Sequence, residues 1–130
     1  MSLKPSMRTP LSRVRYLGSA HSGTDHFWKQ RVSSVALVVL TVAFIAIVIG
    51  LLGRNHAAAA QILGSPFVAI VMLMFTITSA YHMWLGMQVI IEDYIHGEGM
   101  KLALIMLNTF FAILVGAACA YALIKLAFGG

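Results

Sequence analysis

The sequence predicts an all-α membrane protein with three transmembrane helices, and three observations predict it. Hydrophobic residues fill 60% of the 130 positions and charged residues only 10%, whereas a soluble domain carries about 25% charged residues. Three long stretches lack charge and have the length of a bilayer core. Six of the nine Lys and Arg residues (Lys4, Arg8, Arg13, Arg15, Lys29 and Arg31) precede the first of these stretches. A soluble globular domain is excluded, because too few polar groups exist to cover a water-facing surface. The length also excludes a large multidomain enzyme. The net charge of +5 is a basic flank beside a membrane segment and not a face spread over a domain, so no nucleic-acid partner is expected. Cys119 is the single cysteine, which leaves no intrachain disulfide and reads as a packing residue.

No charge falls between Arg31 and Arg54. Residues 32–52 are rich in Val, Ile, Leu and Ala and measure ~32 Å as a helix, against a hydrocarbon core of about 30 Å. The second uncharged interval, 55–91, exceeds a minimal span. Its Ala57–Ala60 run and the Gly64-Ser65-Pro66 break predict a short entry turn, with the helix proper starting at Pro66, a favoured first-turn residue. The third interval runs over residues 102–124 and ends at Lys125. The expected spans are therefore 32–53, 66–91 and 102–125, with 1–31 as a basic segment and 32–130 as the membrane part. No apolar core precedes Val32, so no cleaved signal peptide is expected. The basic flank places the N-terminus on the cytoplasmic side. Three crossings then put loop 54–65 outside, loop 92–101 inside and the C-terminus in the periplasm. Small residues occur in all three spans, among them Ser33, Ser34, Ala36 and Gly50, then Ser79, Ala80 and Gly86, then Gly116, Ala117 and Ala118, and they permit close helix approach. A bundle this thin suits a subunit better than a complete machine.

His82 is the most informative residue. It lies about ten residues from the inner boundary, ~15 Å deep, where ionisable groups face the bundle interior or a functional site. Phe75, Ser79, His82, Gly86, Val89 and Asp93 share one helical stripe. Neutral imidazole is a haem-iron ligand, and Gly86 offers a flat macrocycle close approach to the backbone; an interhelical hydrogen bond is the plainer use of His82. The remaining histidines (His21, His26, His56 and His96) fall outside the expected spans. His96 is ~21 Å along a helix from His82, too far to be a second axial ligand, so a bis-histidine haem would need another chain. At the inner end, Glu92-Asp93-Tyr94 sets a phenol beside carboxylates, a group able to hydrogen-bond a quinone carbonyl and manage its protons. By position alone, an interfacial Tyr beside span-ending acids reads first as an aromatic belt. Arg31, followed by Ser33 and Ser34, suits a propionate or a phospholipid head group, or a plain positive-inside anchor.

Residues 79–94, with His82, then Gly86 four positions on and Asp93-Tyr94 eleven and twelve positions on, resemble the signature of the succinate dehydrogenase hydrophobic membrane anchor subunits. Residues 18–33 resemble the pre-helix segment of alphaproteobacterial members, and the likeness extends from Leu17 onward. The resemblance implies that His82 is this subunit's axial ligand to haem b, with the opposite histidine on a companion cytochrome b556 subunit. It implies that Tyr94 hydrogen-bonds ubiquinone, that Asp93 supports that site or its proton supply, and that Arg31 lies near a haem propionate or the quinone pocket. It also implies iron–sulfur and flavoprotein partners, a bacterial inner-membrane location, and succinate oxidation on another chain. Trp84 and Gln88 are assigned to packing. Two alternatives remain: a fumarate reductase anchor running in the reverse direction, and a small structural membrane protein in which His82 only packs.

Overall fold

The computed structural model describes residues 9–15, 18 and 22–129. Lys4, Arg8 and His21 lie outside them. The described residues form five helices in order: α1 (Pro10–Val14), α2 (Ser22–Leu51), α3 (His56–Gly64), α4 (Pro66–Tyr94) and α5 (Glu98–Ala127). No strand occurs among the described residues. Three of the helices, over Gly23–Leu51, Pro66–Tyr94 and Glu98–Ala127, are long and apolar enough to cross a membrane. The expected fold class therefore holds.

The helices outrun the expected spans, for local reasons. α2 starts at Ser22, about 15 Å of helix before Val32. Its first turn holds Asp25, which suits the positive end of the helix dipole. Asp25 also pairs with Lys29 at 2.6 Å, one turn on, a spacing that stabilises exposed helix. Gly53, at φ 71°, closes the other end in the left-handed conformation that favours glycine. α5 likewise starts at Glu98 instead of 102, with an acid in its first turn and Lys125 in its last.

The expected entry turn is a helix. The Asn55 side chain accepts from the Ala58 amide at 2.8 Å, and four consecutive alanines, the strongest helix formers, continue from that cap. Ser65 ends α3 and begins α4 at φ −66° and ψ 140°, the extended geometry that a following proline imposes. α3 packs on α5 as well as on α4. A Cβ built at Gly64 would lie 2.7 Å from the Leu126 carbonyl oxygen, so only glycine fits there without movement of backbone. Gly64→Ala is expected to destabilise the assembled protein by about 1–3 kcal/mol, read as a lowered thermal midpoint in detergent.

α4 is the middle of the arrangement, packed against α2 and against α5. Contacts pair rising numbers on α2 with falling numbers on α4, so the two run antiparallel. The Phe44 and Phe75 rings stack at 4.5 Å with 10° between planes, and a Cβ at Gly86 would meet Gln30 Nε2 at 3.6 Å. The expected Phe75–His82–Gly86 stripe is thus the face of α4 that meets α2. Gln30 is the α2 residue that faces Gly86 across this seam. The α5 face of α4 is about 160–200° round from His82, at Ala80 and Trp84. A Cβ on Gly116 would lie 3.3 Å from Ala80 Cβ, which places both among the small residues that let α4 and α5 approach.

Only Ala69, Leu85, Ile91 and Ala112 are buried apolar residues among those described, and they are joined by the polar Ser33 and Asn108. Burial inside the chain is therefore scarce, and the apolar side chains face outward. That suits a bilayer, where helices associate through packing and hydrogen bonds without a water-driven core. Cys119, expected to pack, is exposed on α5, on a flank of the helix that the described residues leave uncovered.

Candidate functional site

Two polar seams flank α4. The first joins it to α2. His82 Nδ1 lies 2.9 Å from Ser33 Oγ, and the Ser33 hydroxyl also bonds the Gln30 carbonyl at 3.0 Å. Ser34 donates to the same carbonyl at 2.7 Å. Ser33 is 5% exposed. The interhelical bond considered for His82 is present and occupies Nδ1, while Nε2 has no hydrogen bond among the described residues. One and two turns further along α2, Gln30 Oε1 and His26 Nε2 are buried without a partner among the described residues. Such atoms are scarce in folded proteins and point to a missing group or water. A groove of ≈ 460 Å³ opens beside Ser33, between Trp28, Lys29, Ala36, Thr78 and Tyr81.

The second seam joins α4 to α5. Trp84 Nε1 donates to Thr109 Oγ1 at 3.0 Å, and Asn108 Nδ2 donates to the Trp84 carbonyl at 3.0 Å. Each such bond between membrane helices contributes about 0.6 kcal/mol, up to ~1.7. Trp84 has the packing role expected of it, with its N–H satisfied. Gln88 Nε2 instead donates to the Glu92 carboxylate at 3.0 Å on an exposed face.

The other expected site residues are not gathered around His82 within this chain. Asp93 falls about 20° from His82 around α4, and Tyr94 about 120°. Both are exposed, and their side chains make no hydrogen bond among the described residues. Tyr94 is 75% exposed and edges an apolar groove of ≈ 450 Å³ between α4 and α5, with Ile91, Leu104, Leu107, Asn108 and Phe111. Arg31 is two residues from Ser33, hence about 200° away on α2. Its guanidinium lies over the Phe27 ring, 5.1 Å from the centroid. Among the described residues, no cluster of three or more His, Cys, Asp or Glu residues can hold a metal ion.

Sequence reasoning missed part of this. His26 belongs to α2, although it was expected outside the span, and Ser33 is a hydrogen-bond partner more than a small spacer. Asn108 carried a usable signal, since an amide inside an apolar span must find a partner.

Three long apolar helices joined by polar seams, one of them holding an imidazole, define a multi-pass helical membrane protein. The family model for the succinate dehydrogenase/fumarate reductase transmembrane subunit matches residues 5–116. The succinate dehydrogenase hydrophobic membrane anchor subunit of Paracoccus denitrificans is 37% identical over 121 residues, 93% of each chain. The subunit of the same name from Rickettsia bellii is 33% identical over 107 residues, 82% of this chain and 86% of the relative. The membrane anchor subunit of Reclinomonas americana is 33% identical over 97 residues, 71% and 79% of the two chains. No solved structure matches the chain significantly. The chain belongs to the succinate dehydrogenase/fumarate reductase transmembrane subunit family. It is a multi-pass protein of the bacterial inner membrane.

Proposed function

We propose that this chain is the membrane anchor subunit of succinate dehydrogenase. In this role it helps bind haem b and ubiquinone and docks the flavoprotein and iron–sulfur subunits on the cytoplasmic side. The observation that carries the reading is likeness over 93% of the chain to an anchor subunit of that enzyme. Its relatives take the name of succinate dehydrogenase, which favours that direction over fumarate reduction.

The residues fit a haem. Among the described residues, His82 has one nitrogen engaged by Ser33 and one without a hydrogen bond, and the seam beside it holds two buried polar atoms lacking partners. His82 would hold a haem b together with a histidine of the companion cytochrome b556 subunit, and the haem would supply a one-electron carrier there. His82 presents Nε2 and is held against rotation by α2. Tyr94 donates its phenol proton as a hydrogen bond to a ubiquinone carbonyl, and the exposed Asp93 carboxylate supports proton supply there. Arg31, on the far side of α2, meets a haem propionate or the quinone pocket through surface completed by partner chains. Succinate is oxidised on the flavoprotein, so no residue of this chain contacts it. With the N-terminus cytoplasmic, Asp93 and Tyr94 lie on the side from which electrons arrive.

Purification of the tagged chain from its native membrane tests the reading. Flavin-bearing and iron–sulfur chains together with a b-type haem spectrum are the expected result. Recovery of the chain as a lone, colourless species would overturn it.

A further inference from the structure

We infer that Ser33 is a positioning residue for His82, fixing the imidazole so that Nε2 is the nitrogen offered to iron. The inference rests on the proposed role of His82 as a haem ligand. Two short contacts meet at one hydroxyl: Ser33 Oγ to His82 Nδ1 at 2.9 Å and to the Gln30 carbonyl at 3.0 Å. A serine hydroxyl has one proton and two acceptor lone pairs. If that proton went to Nδ1, the Ser33 and Gln30 oxygens would face each other at 3.0 Å with no hydrogen between them, which is repulsive. Both contacts become hydrogen bonds only when the hydroxyl donates to Gln30 and accepts from Nδ1–H. That arrangement puts the ring proton on Nδ1 and leaves the lone pair on Nε2.

The arrangement also immobilises the ring. Its partner is a hydroxyl that is 5% exposed and tied to the backbone of α2, so the imidazole is referred to a neighbouring helix and not to a mobile side chain. Outer partners of metal-bound histidines act in this way: they select the tautomer, hold the ring plane and strengthen the ligand as a donor.

The test compares Ser33→Ala, Ser33→Thr and His82→Ala in the complete complex, reading haem per flavin after detergent washing and the haem midpoint potential. Ser33→Ala is expected to weaken haem retention about tenfold or more. It should also raise the midpoint potential, because imidazole without an acceptor at Nδ1–H is a poorer donor to iron. Ser33→Thr keeps the hydroxyl and should restore both readings. Wild-type values in Ser33→Ala, or equal loss in Ser33→Ala and Ser33→Thr, would overturn the positioning role while His82→Ala still loses haem. Wild-type haem in His82→Ala would instead remove the ligand role on which the inference stands.

Discussion

Replacing Tyr94 with Phe in the assembled complex is expected to slow ubiquinone reduction severalfold to about tenfold, each tenfold being ~1.4 kcal/mol. The change keeps the ring at the mouth of the α4–α5 groove and deletes one hydroxyl. That hydroxyl has no hydrogen-bond partner among the described residues, so its loss breaks no bond within them. A hydrogen bond contributes about 0.5–1.5 kcal/mol net, and more where negative charge develops on the acceptor. Succinate oxidation measured with a soluble dye that takes electrons upstream should stay near wild type, since the flavin chemistry lies on another chain. Asp93→Asn should act in the same direction if the carboxylate aids proton delivery. Unchanged quinone reduction in Tyr94→Phe would make the residue part of an interfacial belt. An equal fall in dye and quinone activities would make it an assembly residue.

His82→Ala should remove most of the b-type absorbance of the complex without abolishing assembly. The substitution deletes Nε2, the nitrogen proposed as iron ligand, and leaves Ser33 with an unused acceptor. Apolar burial of the macrocycle, about 25 cal/mol per Å², supplies retention that does not pass through His82, so weakly held haem is compatible with the proposal. The check is the reduced-minus-oxidised spectrum per flavin, together with the midpoint potential. An unchanged spectrum and potential would refute the ligand role.

Charge depletion and span length made the three crossings legible, because a bilayer penalises every uncompensated charge. Helix ends were less legible. Asp25 and Glu98 carry α2 and α5 past their apolar stretches through dipole and ion-pair effects that hydropathy does not register. The Ala57–Ala60 run was readable as helix, but the Gly64-Ser65-Pro66 break made a turn look sufficient. At the site, the depth of His82 and the stripe around it came directly from helical periodicity. The partner of His82 did not, because choosing Ser33 among several small residues on α2 requires knowing how two helices register. Asp93 and Tyr94 stood out as a motif, yet their separation from the His82 seam is a matter of helix rise and phase, about three turns along α4.

The placement of α4 between α2 and α5 has a consequence for how variation can accumulate in this chain. Its two seams use nearly opposite faces of one helix: Ser33 and His82 on one side, Trp84, Asn108 and Thr109 on the other. Among the described residues α2 and α5 each pack principally on α4, so a change in one is felt by the other chiefly through α4, and helix backbones transmit little from one face to the other. The outer helices are therefore free to drift in sequence almost independently of each other. α4 must answer to both, so a substitution there faces two sets of constraints at once.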